Sequence, residues 1–306
     1  MSQFIANLVE YIKYKIKEIK DAEPEQDAEE ASHLIKQLID FRTSILVICK
    51  DCFNDNQEIR ISVMLQLQKL LAEITDFPRY LAEYIDGFIV KMGRDNNNDP
   101  REIDEVFEII NLTAERDAFL YYYEIALKNR LLAHTSFLEE IEKDFLSRLS
   151  QLFGENQIMK VKGMINDIVG SRDILAKFKE YTNSRAALKK DFGSIEFEIS
   201  VLTKANWPSE VLQTDVCNMP SGLDKMSKEF NTHYTKYMGN RKLEWLLDEG
   251  YVELNAHFEK GKKLLMVKVA QMAILGALDD SLSKSLKLSD IYERTKLDSR
   301  TIKPHL

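Results

Sequence analysis

The spacing of apolar positions is helical through the first 190 residues. Phe4, Ile5, Leu8, Ile12, Ile16 and Ile19 recur near i, i+3/i+4 and i+7, with Lys13, Lys15, Lys17 and Lys20 largely off that stripe. Residues 22–30 are acidic and carry Pro24, which predicts a loop ending in an N-capping Asp27. A second helix is expected over about 28–53, with Leu34, Ile35, Leu38, Phe41, Ile45, Ile48 and Cys52 on one side. Asn54–Asn56 breaks it, and a third runs through Ile61, Met64, Leu65, Leu67, Leu71 and Ile74 until Phe77-Pro78 stops it. A fourth covers about 79–91, and Gly93 with Asn96 to Pro100 reads as a loop. One long helix is then expected over about 101–133, with Pro100 in the tolerated N1 position. Two more follow, over about 136–153, ending at Gly154, and about 157–181. Long amphipathic helices joined by short loops favour antiparallel neighbours, so residues 100–182 are expected to form a bundle.

After Asp191 the period changes. Ile195, Phe197, Ile199 and Val201 alternate with Glu196, Glu198 and Ser200, the pattern of a half-buried strand. Met226–Met238 is helical again. Leu243–Leu247, Tyr251–His257 and Leu264–Val269 are short strand candidates separated by Gly250 and by Lys260-Gly261-Lys262. Gln271–Leu278 is an apolar helix, with two short ones at Leu288–Thr295 and from Ser299 onward. Two strands leading into three short helices outline part of a winged helix. The expected fold is mainly α, in four parts: a helical-repeat stalk over 1–95, a four-helix bundle over 96–190, a small α/β module over 191–270 and a partial winged helix over 271–306.

Composition narrows the function classes. The chain has 306 residues and a formal net charge of −8, and nearly all of that charge falls in the first 190 residues. A surface of that sign repels phosphate, so nucleic acid is not an expected partner. Only 11 Gly and 6 Pro argue against a turn-dense all-β fold, and 3 Cys cannot build a disulfide framework. There is no secretory h-region and no apolar run long enough for a membrane span, so a soluble protein of the cytoplasm and/or nucleus is expected.

Catalytic signatures are missing: no HExxH, no GxxxxGK and no GxGxxG. Cys49-x-x-Cys52 lies inside a helical pattern and reads as structural rather than redox-active. Glu30-x-x-His33 has di-iron bundle spacing, but such a site needs a second copy and two further glutamates. No metal, cofactor or catalytic residue is therefore expected. Lys296, Arg300 and Lys303 could face DNA from a third winged-helix element, although three basic residues are more often a solvated face.

A more specific signal begins at Ala114–Ala133 (AERDAFLYYYEIALKNRLLA), and it is similar to a tyrosine-bearing helix of the cullin family. Lys162–Ser171 (KGMINDIVGS), Phe197–Thr203 followed by Trp207-Pro208, Asn240–Leu246, Gly250–Phe258 and Val269–Leu275 resemble further cullin motifs in the family's order. Cys52–Asn54 and Leu81–Asp86 resemble landmarks of the last cullin repeat. Lys128-Asn129 and Asn240 depart from the usual residues at their positions.

The resemblance implies a non-enzymatic scaffold of a ubiquitin ligase. It would hold a zinc-bearing RING-box subunit, which in turn recruits a ubiquitin-conjugating enzyme, with no cofactor of its own. The α/β module would accept a strand from that subunit. Phe197, Ile199, Val201, Thr203, Tyr251, Val252, Leu254, Leu265 and Val267 are the candidate residues of the shared sheet. The family's adaptor-gripping repeat and its modified terminal winged helix are expected to lie outside this sequence, so a substrate adaptor is a partner only if that repeat exists. The alternatives are an anaphase-promoting-complex subunit of cullin type and, from another class, a winged-helix nucleic-acid binder.

Overall fold

The computed structural model describes residues 2–20, 28–95, 99–133, 139–192, 195–208, 217–239, 241–279 and 286–305. They form two compact units, Met1–Ile165 and Asn166–Leu306.

The first unit is helical throughout: α1 (Ser2–Lys20), α2 (Ala28–Phe53), α3 (Gln57–Leu71), α4 (Phe77–Asp95), α5 (Pro100–Leu112), α6 (Arg116–Leu132), α7 (Glu139–Phe153) and the start of α8 (Met159–Asn183). Local chemistry sets several boundaries. The Asn56 side chain accepts the N–H groups of Glu58 and Ile59 and so caps α3, after Asn54 and Asp55 turn the chain at positive φ. Asp99 caps α5 by accepting the Arg101 N–H, with Pro100 in the first turn as expected. Gly154, at φ +88°, ends α7 in the left-handed region that favours glycine. The proposed cap at Asp27 lies outside the described residues.

Three boundaries differ from expectation. The helix expected over 101–133 is two helices, because Thr113 is extended and its hydroxyl donates back to the Ile109 carbonyl at 3.4 Å. Leu112 and Phe119 are seven residues apart, two helical turns, so the apolar phase runs across this break without a seam. Pro78 does not merely stop α3; it sits in the first turn of α4, where its missing N–H costs nothing. Gly93 lies inside α4 rather than in the loop after it. Leu8, Ile12 and Ile16 of the α1 stripe are buried within the unit.

Arg130 of α6 ties three helices together. Its guanidinium donates through Nε and Nη2 to both oxygens of Glu142 (2.8 and 3.2 Å), and through Nη1 to Asp86 of α4. Glu142 is buried, and Tyr123 lies beneath the guanidinium, 5.6 Å from ring centroid to Cζ. Phe145 completes the layer at 4.8 Å from Phe107 and 5.9 Å from Tyr123.

In the second unit, α8 continues, followed by α9 (Ala186–Phe192), α10 (Ser221–Met238), a short 3-10 turn, the hairpin β1 (Tyr251–Phe258) and β2 (Gly261–Lys268), then α11 (Val269–Asp279), α12 (Leu288–Thr295) and α13 (Ser299–Ile302). The strands are antiparallel and in unbroken register from Tyr251↔Lys268 to Phe258↔Gly261, closed by Glu259 and Lys260. Gly250 enters the hairpin so close to α11 that a Cβ there would meet the Val269 side chain at 2.8 Å. Ala270, Ala273, Ile274, Ile291, Leu297 and Ile302 close a small core between the last three helices. No helix among the described residues is long and apolar enough to cross a membrane.

Candidate partner-docking site

The site begins with an aromatic floor. Phe178 of α8 and Phe230 of α10 meet edge-on at 5.1 Å, and Phe192, Met226 and Tyr234 bury around them. Two extended segments pack their apolar sides on this floor. From 195–203 come Ile195, Phe197, Ile199 and Val201, all half-buried, while Glu196, Glu198 and Ser200 are exposed. From 241–246 come Leu243 and Trp245, the indole lying 6.1 Å from the Phe230 ring. Period-two alternation is what seats one face of each segment.

One turn of α8 fixes the end of the first segment. The Ser171 hydroxyl accepts the Val201 N–H at 2.7 Å and donates to the Asp167 carbonyl at 2.6 Å. The Asp167 carboxylate accepts the Thr203 N–H (2.7 Å), the Thr203 hydroxyl (2.8 Å) and the Trp207 Nε1–H (2.9 Å). Asp167 and Ser171 are i and i+4, hence neighbours on one helix face. The motif 162–171 and the motif 197–207 are thus two halves of one hydrogen-bonded clamp. Toward the floor's rim, the Tyr181 hydroxyl donates to Glu229 at 2.7 Å, and that bond raises its pKa. His233 is buried 4.6 Å from the Tyr181 ring; burial first, and then Lys236, push its pKa below the ordinary histidine value.

The nine candidate sheet residues separate into two places. Phe197, Ile199 and Val201 share the aromatic floor, and Thr203 is held by Asp167. Val252, Leu254, Leu265 and Val267 form the half-buried face of the hairpin, and Tyr251 points to its opposite, exposed face. The expectation of a single sheet is corrected: β1 pairs only with β2, and 195–203 has no strand partner among the described residues. The reason is that helices seat the segment's apolar side and the α8 side chains take the Val201 and Thr203 N–H groups, so these contacts hold the segment without a ladder to the hairpin. Leu243–Leu247, expected as a strand, is extended over 241–246 and is likewise without a strand partner there.

The motif around Asp167 and Ser171 is legible in the sequence, but the role of these two residues as a clamp is not. Two polar residues one turn apart, below an apolar stripe, were the available signal. Cys49 is buried, and burial raises its thiol pKa, whereas Cys52 is exposed near the C-terminal end of α2. His33 lies 2.9 Å from the Gln37 amide on an exposed face, and the Glu30 side chain lies outside the described residues.

Comparisons with known proteins also divide the chain in two. Residues 1–175 match the family model for the cullin alpha solenoid domain, and residues 201–306 match that for the cullin alpha+beta domain. The chain is 26% identical over 258 residues to mouse Cullin-4A, covering 82% of this chain and 32% of that protein. It is 26% identical over 285 residues to Cullin-3 of Dictyostelium discoideum, covering 92% and 36%. It is 30% identical over 198 residues to rice Cullin-1, covering 64% and 26%. The chain therefore spans about a third of the length of the curated relatives it matches.

Proposed function

This chain belongs to the cullin family, and on that premise we propose that it is a scaffold segment of a ubiquitin ligase that holds a RING-box subunit by strand addition. The observation that carries the proposal is the extended segment 195–203. Its apolar side chains are seated and its end is clamped, yet its edge has no strand beside it among the described residues. A donated strand would supply the main-chain partners that the helical floor cannot. Leu243 and Trp245 of 241–246 pack on the same floor, and Tyr251, Val252, Leu254, Leu265 and Val267 of the hairpin extend the proposal to the rest of the module. Chemistry then belongs to the ubiquitin-conjugating enzyme that the RING subunit recruits; this chain contributes position.

The clamp decides which substitution tests the idea. The Val201 N–H is already donated to Ser171, so Val201→Pro would break an internal bond. Alternate residues of an extended chain turn their N–H groups to opposite edges, so Ser200 and Glu198 face away from the clamp. Ser200→Pro is therefore expected to weaken capture of a RING-box subunit about ten-fold or more, with circular dichroism unchanged. With ubiquitin-conjugating enzyme present, autoubiquitination is expected only when the RING subunit is added. Failure of the intact chain to bind any RING-box subunit, or ubiquitin transfer by this chain alone, would sink the proposal.

A further inference from the structure

The hairpin is an unfinished sheet in its own right. Not one residue from Tyr251 to Lys268 is buried, although each strand is eight residues long. A two-stranded ribbon of this kind is marginal in water without a third strand or a packed face. Leu264 is 62% exposed, Met266 58% and Phe258 56%. The ribbon carries Lys260, Lys262, Lys263 and Lys268 against Glu253 and Glu259, within a chain of net charge −8. None of those four lysines makes an ion pair among the described residues.

The phase of the ladder shows which edge is open. The Val269 N–H donates to the Gly250 carbonyl at 3.2 Å, continuing the register beyond Tyr251↔Lys268. Hydrogen-bonded and non-hydrogen-bonded pairs alternate in an antiparallel ladder. Val267, Leu265, Lys263 and Gly261 therefore turn their backbone groups to β1, while Lys262, Leu264 and Met266 turn theirs outward. The outward N–H of Lys268 is capped by the Gln271 side chain at 2.9 Å, which closes the edge at its base. The same residues present their side chains on the exposed face, so Leu264 and Met266 form an apolar centre between Lys262 and Lys268.

We infer that the outer edge of β2 is a second strand-accepting edge, and that its partner is an acidic extended peptide segment with apolar residues at alternate positions. This edge is separate from 195–203 and does not depend on the RING-box proposal. Added N–H and C=O groups would pair with Leu264 and Met266, alternate apolar side chains would cover those two, and carboxylates would meet the lysines. A lipid surface fits less well: it leaves the outward main-chain groups unmatched, and an anionic bilayer is repelled by the rest of the chain.

The test uses the whole chain and a blocked, fluorescent peptide alternating Glu with Val and Ile, read by anisotropy. The wild-type chain is expected to bind it, and binding is expected to weaken as salt rises. Leu264→Pro removes one outward N–H without touching the ladder to β1, and is expected to weaken binding about ten-fold. The double change Lys262→Glu, Lys268→Glu is expected to abolish binding of the acidic peptide and to allow binding of the Lys-for-Glu version. Amide exchange in the Leu265 and Val267 backbone checks that the hairpin persists in each variant. No binding by the intact chain, or equal binding by Leu264→Pro with the hairpin intact, overturns the inference. So does binding to phosphatidylserine vesicles in place of the peptide.

Discussion

Single residues in this chain act where charge or polarity is buried. Arg130 neutralises Glu142, which is buried, and its removal would leave that carboxylate uncompensated. Arg130→Met is expected to destabilise the first unit by about 3–5 kcal/mol, the usual cost of breaking a buried pair from one side. Urea unfolding followed by ellipticity checks it; a loss below about 1 kcal/mol, the worth of an exposed pair, would mean that the pair is solvated in practice. His233 gives a pH dependence with a definite sign. Phe178, Tyr181 and Tyr237 surround the ring; Lys236 and Arg185 oppose its protonation and Glu229 favours it, with burial the largest influence. Its folded pKa lies below the unfolded value of about 6.5. The stability from keeping it neutral is thus fully present above that value, and is lost as pH falls from there through the folded pKa. His233→Phe, which keeps an aromatic ring in the cluster, is expected to flatten this part of the melting-temperature profile. An unchanged slope below about pH 6.5 would assign it to other groups.

Elements show where local rules hold and where packing overrides them. Gly250 is tolerated only because it lacks a Cβ: Gly250→Ala would drive a methyl into Val269 at 2.8 Å. The expected cost is about 1–3 kcal/mol from overpacking. Val269→Ala should recover much of it in the double variant, a coupling that thermal melts of the three proteins would measure. Helices with a clean apolar stripe and a capping residue, such as α3 after Asn56 and α5 after Asp99, are legible in the sequence because both signals are local. The break between α5 and α6 is not, since no Gly or Pro marks it and the apolar phase runs through. α9 is also hidden: seven residues with one buried side chain, Phe192, carry too little periodicity. The strand pattern at 195–203 is legible as a pattern of faces, but pairing belongs to edges, and edges depend on what lies alongside. That is why Phe197, Ile199 and Val201 are legible as one face, whereas the sheet expected to join them to Leu254 and Val267 does not form among the described residues.

At the scale of the molecule, the chain places its acidic, glycine-poor helices in one compact unit and its extended segments in the other. The chain's two tryptophans, Trp207 and Trp245, both lie in the second unit. Trp207 is buried, its indole N–H on the Asp167 carboxylate, and Trp245 stands against Phe230. Indole emission is consequently blind to the first unit, whereas far-ultraviolet ellipticity weights that unit heavily through its long helices. Two transitions recorded on one sample, one in each optical channel, would separate the melting of the first unit from that of the second without cutting the chain.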